Sequence, residues 1–97
     1  MPTYVSLVNW TDQGIRSFKD SPKRADAFAE VLKQKGGSVK EIYWTLGAYD
    51  VVAIAEAPDA ETMTAALLQI AAQGNVRTTT LTAFDRDGIA KIISKAG

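Results

Sequence analysis

The chain has 97 residues, eleven acidic and eleven basic side chains for a formal net charge of zero, and neither cysteine nor histidine. That length allows one domain with a modest core, because folding at this size hides roughly 60 to 70% of the surface an unfolded chain exposes. Balanced charge removes the field that would recruit nucleic acid or an anionic membrane. Without Cys or His there are no disulfides, thiol nucleophiles, Cys/His zinc sites, imidazole bases or histidine-ligated haem, so no cofactor and no metal set is expected.

Met1 to Trp10 has neither the basic start nor the long apolar run of a signal peptide, and no segment approaches the length of a membrane span. A soluble, cytoplasmic protein is expected. Thr3 to Trp10 alternates as a first strand, with Tyr4, Ser6, Val8 and Trp10 on one side. Thr11 to Asp20 is polar and reads as a loop with one helical turn. Ser21-Pro22 starts a helix, the serine as cap and the proline preorganised behind it, with Ala25, Phe28, Ala29 and Leu32 as its apolar stripe and Gly36-Gly37 as its stop.

The strongest local signal is a hairpin. Ile42 to Leu46 and Val51 to Ala55 are rich in aromatic, β-branched and small apolar residues and flank Gly47-Ala48-Tyr49-Asp50. Glycine at 47 suits a positive φ, and the Asp50 carboxylate can accept from turn N–H groups. With Ala48 and Tyr49 at the tip, Trp44 would face Ala53, Leu46 would face Val51 and Glu41 would face Glu56. Pro58-Asp59 opens a second helix carrying Met63, Ala66, Leu67 and Ile70, which Gly74 stops. Asn75 to Phe84 is a fourth, threonine-rich strand, and Ile89, Ile92 and Ile93 mark a short amphipathic C-terminal helix.

Strand, helix, strand, strand, helix, strand is the ferredoxin-like βαββαβ order, an α+β antiparallel sheet with two helices on one face. The third strand is apolar at both parities, as expected of a strand covered on both faces. Two helices cover one face only. A second copy is the simplest cover for the other, giving a homodimer or larger homo-oligomer in which sheet packs on sheet, a dimeric α+β barrel.

Gly47-Ala48-Tyr49-Asp50-Val51-Val52 resembles the G-x-Y-D motif of the GYD-domain family, small bacterial proteins classed with the dimeric α+β barrels. Four further blocks are similar to the family pattern in the same order: Thr11 to Arg16, Ser21 to Arg24, Glu56 to Asp59 and Gly74 to Thr78. The resemblance implies architecture for the whole chain, residues 1–97, and carries no catalytic residues with it.

The candidate ligand-binding residues are Trp10, Tyr43, Tyr49, Asp50, Glu56 and Arg77. A phenol beside a carboxylate could orient a substrate hydroxyl, Asp50 serving as base if burial raised its pKa; alternatively Tyr49 packs on the sheet and Asp50 satisfies turn amides. Trp10 and Trp44 could wall an aromatic ligand, or serve in the core or an interface. Glu41 and Glu56, if opposed, either reach water, or one is protonated or meets a cation such as Arg77, Lys40 or a metal ion. Arg16, Lys19, Lys23 and Arg24 surround the start of the first helix, where cations oppose the helix dipole; they could hold an anion there, or be neutralised by Asp12, Asp20 and Asp26. Two functions remain open. One is a ligand-binding or structural and assembly role in a homo-oligomer. The other is a cofactor-independent enzyme, monooxygenase- or isomerase-like, acting on a small aromatic or polyketide-like substrate, which fold analogy alone supplies.

Overall fold

The computed structural model describes all residues from Met1 to Gly97. Strand β1 (Thr3–Trp10) is followed by a short helix α1 (Asp12–Arg16), a 3₁₀ turn (Phe18–Asp20) and helix α2 (Ser21–Gln34). Strands β2 (Ser38–Trp44) and β3 (Val51–Glu56) form the hairpin; helix α3 (Ala60–Ala71), strand β4 (Val76–Ala83) and helix α4 (Arg86–Ala96) complete the chain. The sheet order is β2-β3-β1-β4 with every neighbouring pair antiparallel, as the ferredoxin-like order requires.

Helices α2 and α3 pack on one face of this sheet. Phe28 and Leu32 from α2 and Met63 and Ala66 from α3 meet Tyr4 of β1 and Ala55 of β3 in a single core. Alternation in β3 decides which side chains join it: Val51, Ala53 and Ala55 are buried, whereas Val52, Ile54 and Glu56 remain partly exposed on the far face. Helix α3 begins where Asp59 accepts from the Thr62 N–H at 2.8 Å, the cap expected from Pro58-Asp59.

Two local expectations change. Ser21 does not cap α2; its hydroxyl accepts the Trp44 indole N–H at 2.9 Å, joining the helix start to the end of β2. The hairpin register also differs. Thr45 N–H donates to Asp50 O at 2.9 Å, so the loop is the four residues Leu46 to Tyr49 and Leu46, its first residue, stands fully exposed. Trp44 consequently faces Val51, Ile42 faces Ala53, Tyr43 faces Val52 and Glu41 faces Ile54. A slip of two residues preserves which face each side chain occupies, because side chains alternate with period two. A bulge between Val39 and Glu41 then sets Ser38 opposite Glu56, so the two glutamates never oppose each other.

Gly14 marks a close approach. Helix α1 docks on the turn before β4, with Thr11 Oγ1 donating to Gly74 O at 2.6 Å and Thr11 N–H to Asn75 O at 3.1 Å. A Cβ on Gly14 would lie 1.9 Å from the Asn75 carbonyl oxygen, a backbone atom with no side-chain freedom to retreat. Gly14→Ala should therefore destabilise the fold by about 1–3 kcal/mol, lowering the melting temperature by about 4–8 °C per kcal/mol; differential scanning calorimetry measures it.

Candidate functional site

The GAYD turn acts first on β1. Pairing between β1 and β3 ends at Val8 with Val51, leaving Asn9 and Trp10 beyond the ladder. Asp50 continues it: its N–H donates to Val8 O at 2.8 Å, and its Oδ2 accepts the Trp10 backbone N–H at 2.9 Å. The carboxylate stands where a strand carbonyl would, so it serves the end of β1 and not the turn's own amides. Asn9 Nδ2 donates to Ala48 O at 2.7 Å, and Thr45 Oγ1 donates to Tyr49 O at 2.6 Å. Gly47, at φ 113°, supplies the left-handed residue this loop needs.

The turn thereby fixes Trp10, which lines a cavity of about 60 Å³ between the sheet and the two long helices. Val8, Val51 and Ala53 form its floor, Phe28, Leu67 and Ile70 its helical roof, and Ile42 and Trp44 lie toward β2. Alanine-rich helices keep it small. Arg24 of α2 is its one charged lining residue. The guanidinium Nη1 donates to Ser17 O at 3.0 Å and to Ser17 Oγ at 3.2 Å, and Nη2 donates to Gly14 O at 3.2 Å, fastening the C-terminal end of α1.

The other candidate residues lie apart. Tyr43 projects from the far face of the sheet and donates to Glu41 Oε2 at 2.7 Å, a bond that raises the phenol's pKa above its ordinary value. Asp50 and Glu56 sit at opposite ends of β3, about 20 Å apart at the usual strand rise. Glu56 Oε1 pairs with Lys40 Nζ at 2.9 Å, the one salt bridge in the structure, and the Lys40 contact holds its carboxyl below the ordinary range. Tyr49 is half-buried in the hairpin loop, and Arg77 is exposed beside an open groove with Thr11, Gly74 and Thr78. Trp10 and Asp50 touch through the backbone; Tyr43, Glu56 and Arg77 join neither. Of the helix-start cations, Arg16 and Lys23 are exposed, and none pairs with Asp12, Asp20 or Asp26. No group of three or more His, Cys, Asp or Glu side chains is placed to hold a metal.

Sequence reasoning missed that Arg24 belongs to the cavity. The signal was present: Arg24, Phe28 and Leu32 recur every four residues, so a cation sits in line with the apolar stripe of α2.

The sheet order, the helices on one face and the core define a ferredoxin-like α+β protein. The GYD-domain pattern matches residues 4–93, and the chain belongs to the GYD-domain family. It is 38% identical over 85 residues to the glutamine synthetase and cystathionine beta-lyase binding protein of Thermus thermophilus, a match covering 87% of this chain and 90% of that one. Among solved structures it is similar to TTHA0845 from Thermus thermophilus, with 29% identity, a TM-score of 0.56 and coverage of 88% of this chain and 95% of that one. A feast or famine regulatory protein from M. tuberculosis, complexed with L-methionine, has a TM-score of 0.67 at 19% identity over 88% of this chain and 51% of its own, a likeness of fold. No helix is long and apolar enough to cross a membrane.

Two predictions test these contacts. Asp50→Ala should cost about 1–3 kcal/mol, since it leaves the Trp10 N–H unmet, whereas Asp50→Asn, which keeps an acceptor oxygen, should cost less; urea unfolding separates the two. Glu56 has a lowered pKa, so its pair with Lys40 contributes fully above the carboxyl's ordinary value of 4.5 and is lost as pH falls through the depressed folded value. The melting-point gap between wild type and Glu56→Gln should be constant at neutral pH and close in acid.

Proposed function

We propose that the protein is a homodimeric, non-catalytic binding module that attaches to a metabolic enzyme in the cytoplasm. The observation that carries this reading is the far face of the sheet. Val5, Leu7, Val52, Ile54, Leu81 and Tyr43 lie there, on the side no helix covers. One chain buries only 12 of its 97 residues, a core too small to make that face incidental. A second copy supplies an equal apolar sheet across a twofold axis, the simplest closed arrangement, and the ring of Glu41, Glu56 and Arg77 at its edge suits a polar rim.

Assembly is also favoured by helix α4. The Cα radius of gyration is 14.4 Å, against about 12.5 Å for a compact chain of this length. Helix α4 carries Ile89, Ile92 and Ile93 exposed at 42%, 38% and 63%. An amphipathic helix with no cover of its own is a surface for another protein. The attachment to an enzyme rests on the relative named for binding glutamine synthetase and cystathionine beta-lyase. Dispersal of the candidate groups over both faces and both ends of the sheet supports a binding role over the enzymatic alternative, which needs them in one pocket.

Sedimentation equilibrium at micromolar concentration should give a dimer. Val52→Asp, on the far face, should raise its dissociation constant at least a hundredfold, equivalent to about 2.7 kcal/mol, with the far-ultraviolet circular dichroism unchanged. Biolayer interferometry against glutamine synthetase and cystathionine beta-lyase of the same organism should show binding to at least one. A monomeric wild type would overturn the dimer, and no binding to either enzyme would overturn the attachment.

A further inference from the structure

Two buried side-chain donors in the protein have no acceptor, Trp10 Nε1 and Arg24 Nε, and both residues line the same cavity. They reach it from different layers, one from β1 and one from α2. Their coincidence in one small apolar space is the feature to explain. A buried donor left unmet is costly, and native proteins leave few of them. Trp44, the other indole in the cavity wall, has its N–H satisfied by Ser21, so the unmet pair is specific to Trp10 and Arg24.

Charge selects the acceptor. Arg24 has no carboxylate within ion-pair distance, and its terminal nitrogens are engaged by neutral oxygens of Gly14 and Ser17. No aspartate or glutamate lines the cavity. A neutral acceptor would meet the donors but leave the guanidinium without a counter-charge, whereas a carboxylate supplies both in short, charge-assisted bonds. The rest of the wall is predominantly apolar, eleven of its fifteen residues being hydrophobic, which suits a hydrocarbon tail. An ammonium group would find no anionic partner there, so free amino acids are disfavoured.

We propose that this cavity binds a small monocarboxylate with a short aliphatic tail, its carboxylate accepting from Trp10 Nε1 and Arg24 Nε and its tail lying among Val8, Phe28, Leu67 and Ile70. The site is separate from the far face of the sheet and does not depend on the protein being a dimer. It also gives the GAYD turn a consequence for binding, because Asp50 holds the backbone of the residue that supplies one of the two donors.

The test is a titration of the full-length protein with 3-methylbutanoate and with acetate, followed by the two tryptophan indole signals in proton–nitrogen correlation spectra. The Trp10 indole proton should move downfield and saturate, with a smaller change at Trp44. The neutral amide 3-methylbutanamide and the amino acid L-valine should bind at least tenfold more weakly than 3-methylbutanoate. Trp10→Phe, which keeps an aromatic wall and removes the donor, should weaken both acids at least threefold, and Arg24→Gln at least tenfold. Arg24 also fastens α1, so if Arg24→Gln fails to fold, Trp10→Phe and the wild-type titrations decide. No saturable change at the Trp10 indole up to tens of millimolar of either acid would overturn the proposal, as would equal affinity for the amide or the amino acid. A buried water meeting both donors predicts that unresponsive result.

Discussion

The bond from the Trp10 backbone to the Asp50 carboxylate is the constraint on which the arrangement depends. The β1–β3 ladder ends at Val8 and Val51, and Asp50 extends it by one side-chain oxygen, accepting the Trp10 N–H at 2.9 Å while its own N–H bonds to Val8 O at 2.8 Å. A half-buried strand end without such a partner would leave an N–H unmet. The reach is short, so the hairpin loop, the last residues of β1 and the Trp10 wall of the cavity are set together. In this chain the signature motif is therefore a structural clamp on the end of β1.

Two faces of one sheet serve different ends. On the helix side Tyr4, Phe28, Leu32 and Met63 close a core, and next to it the packing leaves a cavity bounded by Trp10, Trp44 and Arg24. On the far side Val52 and Ile54 remain half-exposed with Leu81 exposed beyond them. β3 separates these environments, and strict alternation lets a run of consecutive apolar residues serve both. A change at Val52 consequently touches the far face without entering the cavity, and one at Ala53 does the reverse.

Much of the architecture was legible in the sequence because it is local. Pro58-Asp59 as a helix start, Gly47 at positive φ and the apolar run of β3 all act within a few residues. What escaped depends on distant partners. Gly47 alone does not say whether the loop holds two residues or four, so the register slipped by two although the faces survived. Ser21 has the side chain of a cap, yet the Trp44 indole, 23 residues away, takes its hydroxyl. Lys40 was one of several possible partners for Glu56, and the bulge beside it, invisible in the residue pattern, goes with the pairing that forms. Arg24 looked like one of four surface cations until the helix placed it over the cavity.

The proposed function rests on a second copy covering the far face of the sheet. Its most direct test mixes isotope-labelled and unlabelled protein, lets the copies exchange, and records isotope-filtered nuclear Overhauser contacts. Contacts between methyl groups of Leu7, Val52, Ile54 or Leu81 on one copy and the same face of the other are the predicted result. Their absence, with contacts from those methyl groups confined to their own chain, would contradict it.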